Sequence, residues 1–203
     1  MFLNYLRNRK MHKLFSQNSS KYDSDGSFIE YVLVKSKNGN YFVIRHIQYA
    51  DNGALTTFGT YKIIDNYRRS IGYLKYTFDD RDKSNIHMNL GDIYFDPLYR
   101  NIGLGTKVLA LFEQRAITYG AHHIEGKLSD VDEITPFDKE LRDSFYKKLG
   151  YEIIDNNSIY KELDWCNIFE NETPIGIWTL SVWTTIGVFY FPLICKGLQV
   201  LYF

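Results

Sequence analysis

The chain has 203 residues, and its 24 basic and 24 acidic side chains leave a formal net charge of zero. That balance carries no electrostatic footprint for nucleic acid, so such a partner is excluded from the reading. Two cysteines, Cys166 and Cys195, cannot build a disulfide framework or a cysteine-ligated metal site, and a cytoplasmic, reducing setting is the expectation.

Residues 1–27 read as a polar, basic N-terminal arm, with a short helix over Phe2 to Phe15 and a loop from Ser16 to Gly26. From Phe28 the pattern is that of strands. Tyr31–Val34 and Tyr41–Ile44 flank a Lys-Asn-Gly-Asn turn, the signature of a hairpin. Further strands are expected over Leu55–Ile64, Ser70–Phe78 and Ile86–Phe95, the last ending at Asp96-Pro97.

The period then changes. Val108, Leu109, Leu111, Phe112 and Ile117 recur on helical spacing between Leu104 and Tyr119, and Gly120 follows as a C-terminal cap. His122–Leu128 reads as a strand, and Asp130, Asp132, Glu133 and Asp138 as an acidic loop. Pro136–Leu149 reads as a second helix, and Tyr151–Ile154 with Ile159–Leu163 as a closing strand pair. The order is antiparallel strands followed by strand–helix–strand–helix–strand–strand, a mixed α/β domain with one sheet and helices packed on it.

The loop Arg100-Asn101-Ile102-Gly103-Leu104-Gly105 lies between a strand and a helix. A helix start offers unpaired amides and the positive end of the dipole, and glycines let an anion come close, so a phosphate or pyrophosphate is the expected ligand. The loop lacks both the Gly-Lys-Ser/Thr ending of a nucleotide-hydrolase loop and the full Gly-x-Gly-x-x-Gly of a dinucleotide site.

Two motifs in order, Arg-x-x-Gly-x-Gly at 100–105 and Phe145-Tyr146-Lys147-Lys148-Leu149-Gly150-Tyr151, give the chain a resemblance to the GNAT superfamily of N-acetyltransferases over about Ile71 to Leu163. The resemblance implies a central mixed sheet with splayed parallel strands flanked by helices. It also implies acetyl-CoA as co-substrate, with no metal. The coenzyme's pyrophosphate would be held by Arg100, Asn101, Ile102, Gly103, Leu104, Gly105 and Thr106, and its pantetheine arm would pair with Ile93, Tyr94 and Phe95. Tyr146 matches the family's general acid. Glu125 stands where some members carry a base, and Asp92 and His87 where others do.

Residues 28–164 are thus expected to form the acyltransferase domain. The family's helical pair after the first strand has no counterpart here, because Phe28 to Asp65 reads as strands and turns, so the acceptor pocket does not carry over. Residues 165–203 form a hydrophobic tail. Within it Ile175 to Cys195 carries no charge and matches the roughly 20 residues of a bilayer-spanning helix, though Gly176, Gly187 and Pro192 interrupt it. The tail reads as a membrane anchor, a buried or oligomer-forming segment such as a homodimer contact, or a segment with no selected role. The expected activity is direct acetyl transfer to a primary amine of a small molecule or peptide. The competing reading is a non-catalytic acyl-CoA-binding or interaction module that keeps the fold.

Overall fold

A computed structural model of the chain describes residues 9, 11, 13, 15, 21–22, 27–50, 56–79, 86–128, 135–155 and 157–163. All of these lie in one compact unit, Met1–Leu163. The hydrophobic tail lies outside the described residues, and so do its membrane, homodimer and partner readings. Residues 130–134 of the acidic loop lie outside them as well. Among the described residues no helix is long and apolar enough to cross a membrane.

Among the described residues nine strands form one sheet: β1 (Lys21–Tyr22), β2 (Phe28–Lys35), β3 (Tyr41–Ala50), β4 (Thr56–Ile64), β5 (Ser70–Asp79), β6 (His87–Phe95), β7 (His123–Lys127), β8 (Glu152–Ile154) and β9 (Ser158–Glu162). Their order is β1-β2-β3-β4-β5-β6-β7-β9-β8. Every pair is antiparallel except β6 and β7, which the helix α1 (Leu104–Thr118) connects. A second helix, α2 (Pro136–Lys148), connects β7 to β8. The expected mixed α/β class is what forms.

Two expectations need correction. The stretch read as a loop from Ser16 to Gly26 contains the short strand β1, which pairs with Ile29 and Phe28 of β2. Met11, in the arm read as polar and basic, is 1% exposed, because an apolar side chain gains from leaving water whatever the charge of its neighbours.

Strand alternation sends one set of side chains toward the helices. Ile44, Ile63, Leu74, Met88, Leu90 and Ile124 are buried there against Leu104, Val108, Leu109, Phe112 and Ala116 of α1. Burying each large apolar side chain contributes about 1.5–3 kcal/mol, which is why this face forms the core. Gly59 is required at one point of it. A Cβ there would fall 2.0 Å from Cζ of the Tyr76 ring.

The core also holds polar groups. His46 is fully buried, stacks on Tyr61 at 4.3 Å, and its Nε2 lies 2.8 Å from the Tyr76 hydroxyl. Its Nδ1 lies 3.8 Å from Glu30, whose carboxylate is bonded by the Arg115 guanidinium of α1. Burial holds the His46 pKa below its ordinary value, although Glu30 opposes this. The Glu30 carboxyl is held low by His46, and by Arg115 as well, against the cost of burial.

The helix ends follow local chemistry. Thr135 and Asp138 form a reciprocal capping box at the start of α2. Asp138, read as part of an acidic loop, is therefore a capping residue. Lys161 of β9 ties the two helices together, donating to Glu113 of α1 at 2.9 Å and to the Leu149 carbonyl at the end of α2 at 2.7 Å.

Candidate active site

The site begins with a break in pairing. On one side β6 stays paired with β5 as far as Phe95. On the other its parallel partnership with β7 stops at Leu90↔Gly126. Beyond that point Leu128 donates to the Asn157 carbonyl at 2.7 Å, which carries the chain toward β9. Residues 91–95 of β6 therefore present a backbone edge toward a gap. Backbone polar groups demand partners, so such an edge inside a sheet suits an extended, amide-bearing ligand. A bulge between Lys75 and Tyr76, opposite Asp92 and Leu90, makes Gly91 the extra residue of β6 where the gap opens. Ile93, Tyr94 and Phe95 lie on this edge.

The glycine loop follows directly. Asp96 accepts from the Leu98 amide at 3.0 Å and starts a single 3-10 turn over Pro97–Tyr99. Asn101 and Gly103 then take positive φ, 62° and 82°, a region that costs glycine nothing and asparagine little. This reversal starts α1 at Leu104. The first bond returning to the loop runs from the Lys107 amide to the Gly103 carbonyl at 3.3 Å. The amides of Leu104, Gly105 and Thr106 precede it and have no intrahelical acceptor, as geometry requires. Gly105 keeps the cradle open, since a Cβ there would meet the Phe145 ring at 3.1 Å and the Phe95 ring at 3.5 Å. Free amides, a left-handed glycine and an adjacent strand edge together fit a diphosphate carrying an extended amide-containing arm.

Several groups brace this loop. Asp65 is buried and accepts from the amides of Tyr67 and Arg69 at 2.8 and 2.9 Å and from the Arg69 guanidinium at 2.7 Å. The Tyr99 hydroxyl lies 3.4 Å from the same carboxylate. Burial pushes the Asp65 pKa up, but the bonds from Arg69 and Tyr67 outweigh it and leave the group below its ordinary value. Arg100 donates through Nε to the Phe95 carbonyl at 3.0 Å, so its charge is fixed beside the loop.

The candidate acid and bases lie on opposite faces of the sheet. By register, His87, Asn89, Asp92, His123 and Glu125 share the face turned away from α1. There Glu125 meets His87 at 3.5 Å, His87 stacks on His123 at 5.3 Å, and Asp92 accepts from the Tyr73 hydroxyl at 2.8 Å. Tyr146, on α2, is 4% exposed and its ring is edge-on to Phe145 and Tyr151 on the helix side. Among the described residues no group of three or more His, Cys, Asp or Glu could hold a metal ion. Sequence reasoning overlooked Asp65 and Tyr99, which brace the loop; the turn residues around Asp65 were the available signal.

The profile of the acetyltransferase (GNAT) family matches residues 8–151. No curated protein matches the chain. Among solved structures, Arabidopsis thaliana Naa50 in complex with the bisubstrate analogue CoA-Ac-MVNAL is similar at 18% identity. It covers 51% of this chain and 72% of its own, with a TM-score of 0.43. AtaTR bound with acetyl-CoA is 18% identical over 52% of this chain and 68% of its own, with a TM-score of 0.40. An acetyltransferase of the GNAT family from Staphylococcus aureus Mu50 is 18% identical over 53% and 68%, with a TM-score of 0.41.

Proposed function

The chain belongs to the acetyltransferase (GNAT) family, and on that premise we propose that it moves an acetyl group from acetyl-CoA to a primary amine of a small molecule or peptide presented on the open face of β6 and β7. The observation that carries the reading is the coincidence of two vacant hydrogen-bonding surfaces. One is the β6 edge beyond Leu90↔Gly126, and the other is the start of α1 behind the left-handed Gly103. The loop amides and Arg100 take the diphosphate, and the edge at Ile93, Tyr94 and Phe95 takes the pantetheine arm.

Acetyl-CoA supplies the activated thioester. The acceptor nitrogen forms the new C–N bond as the C–S bond breaks, so one proton leaves the amine and one reaches the sulfur. Glu125, with His87 beside it, receives the amine's proton on the open face. Tyr146 gives its hydroxyl proton to the departing thiolate from the helix side. An amine is protonated at neutral pH in water, so a carboxylate at the acceptor side both attracts it and deprotonates it.

The test uses the full chain. Calorimetric titration with acetyl-CoA measures binding, and release of free thiol with a panel of small amines and N-terminal peptides measures turnover. Tyr146→Phe should lower turnover about a hundredfold, the low end of the general-acid range, and leave acetyl-CoA affinity unchanged. Equal turnover in the variant would remove Tyr146 from the acid's role. Tight binding without thiol release for any amine would favour the non-catalytic acyl-CoA-binding module.

A further inference from the structure

The β2–β3 hairpin turn docks on the glycine loop. The Lys37 amide donates to the Ile102 carbonyl at 2.9 Å. The Lys37 stem lies across Gly103: a Cβ on that glycine would meet its Cγ at 3.1 Å, its Cε at 3.2 Å and its Cδ at 3.4 Å. The turn itself is rigid. Ser36 is buried, its hydroxyl bonds Asn38 and the Asn40 carbonyl, and the Gly39 amide returns to the Ser36 carbonyl at 3.0 Å. Lys37 is exposed, and among the described residues its ammonium forms no ion pair. A lysine stem that packs on the residue opening a helix brings an unpaired cation to the rim of a surface already built for anions.

We propose that Lys37 is a phosphate-binding residue of the coenzyme site, its ammonium pairing with a phosphate of coenzyme A. This rests on the assignment of the loop to acetyl-CoA. The two cations differ in kind. Arg100 is tied through Nε to the Phe95 carbonyl and acts as a fixed charge. Lys37 is held at its backbone and stem but not at its tip, so its point charge can follow the phosphate. Phosphate chemistry occurs twice in the coenzyme, in the diphosphate and in the 3′-phosphate, and the geometry favours neither over the other.

The experiment compares the wild-type chain with Lys37→Met and Lys37→Arg by titration with coenzyme A and with dephospho-coenzyme A, at low and at moderate salt. Methionine keeps the apolar stem on Gly103 and the backbone bond to Ile102 but removes the charge. Arginine keeps the charge. Lys37→Met should weaken coenzyme A binding about tenfold at low salt, the scale of one charge-assisted contact. Lys37→Arg should stay within about threefold of wild type, and the deficit of the methionine variant should shrink as salt is raised. A deficit that persists with dephospho-coenzyme A assigns Lys37 to the diphosphate, and one that vanishes assigns it to the 3′-phosphate. Coenzyme A binding by Lys37→Met equal to wild type overturns the role of Lys37 and leaves the loop assignment standing. Absence of coenzyme A binding by the wild-type chain overturns both.

Discussion

The antiparallel half of the sheet, β2 to β5, and the parallel seam of β6 and β7 treat their polar groups in opposite ways. In the first, every strand has a neighbour on each side and three polar pairs cross the core, His46 with Tyr76, Glu30 with Arg115 and Tyr119 with Gln48, while Nδ1 of His46 and Nε of Arg45 are buried without a hydrogen bond. In the second, pairing stops midway along β6, and a helix begins where its first amides meet no acceptor. The difference teaches where to look for a ligand. Backbone polar groups call for partners, so a strand edge without a sheet neighbour and a helix start without intrahelical acceptors are where an amide-bearing, anionic ligand fits.

The sharpest way to break that contrast is to fill the vacancy. Gly103→Val with Gly105→Val places a branched residue at a φ of 82° and a side chain against Phe145, closing the cradle. Several amide–phosphate bonds at about 1.5–3 kcal/mol each are then lost, so acetyl-CoA affinity should fall at least about a hundredfold by calorimetry. The antiparallel half should keep its strand signal in circular dichroism.

The converse change belongs to the other half. Gly59→Ala drives a methyl into the Tyr76 ring, which is closed in by Tyr61 and Phe112. Overpacking of this kind costs about 1–3 kcal/mol, read as a lower urea midpoint, while the folded fraction should bind acetyl-CoA as before. Weaker binding by fully folded Gly59→Ala would show that the two halves are coupled.

The smallest effect is set by pH. His46 faces Glu30 of β2, Tyr61 of β4, Tyr76 of β5 and, through Glu30, Arg115 of α1. Its pKa is lowered in the folded state by burial, so the unfolded chain takes up the proton first. Stability is then fully present above the ordinary histidine value of about 6.5 and declines as pH falls toward the folded value, by at most about 1.4 kcal/mol per pH unit. Glu30, lowered as well, extends the loss below the ordinary carboxylate range. Urea midpoints between pH 8 and pH 5 should show this slope, and His46→Phe should flatten it.

Much of the seam was legible in the residues because its chemistry is local. Two glycines after a strand, at 103 and 105, fix the loop and the start of α1, and the 3.6-residue period of Val108, Leu109 and Phe112 fixes the buried face of that helix. Parallel pairing of β6 and β7 follows from the helix between them. What was not legible is non-local. Nothing near His46 announces Tyr76, thirty positions away on another strand. Asp65 reads as a turn residue, which it is, but its contact with Tyr99 depends on register across the sheet. Lys37 belongs to a turn signal, and only the folded chain lays it on Gly103.

The bond from Lys161 has a consequence for how the protein is made. Lys161 lies in β9, the last strand among the described residues, yet it holds the end of α2, three residues beyond Tyr146, against Glu113 of α1. A nascent chain that has released the glycine loop from the ribosome but not residue 161 has β7 without its outer neighbour and α2 without this anchor. The glycine loop can therefore form before the end of α2 beside Tyr146 is fixed, and β9 is the strand that ties α2 to α1.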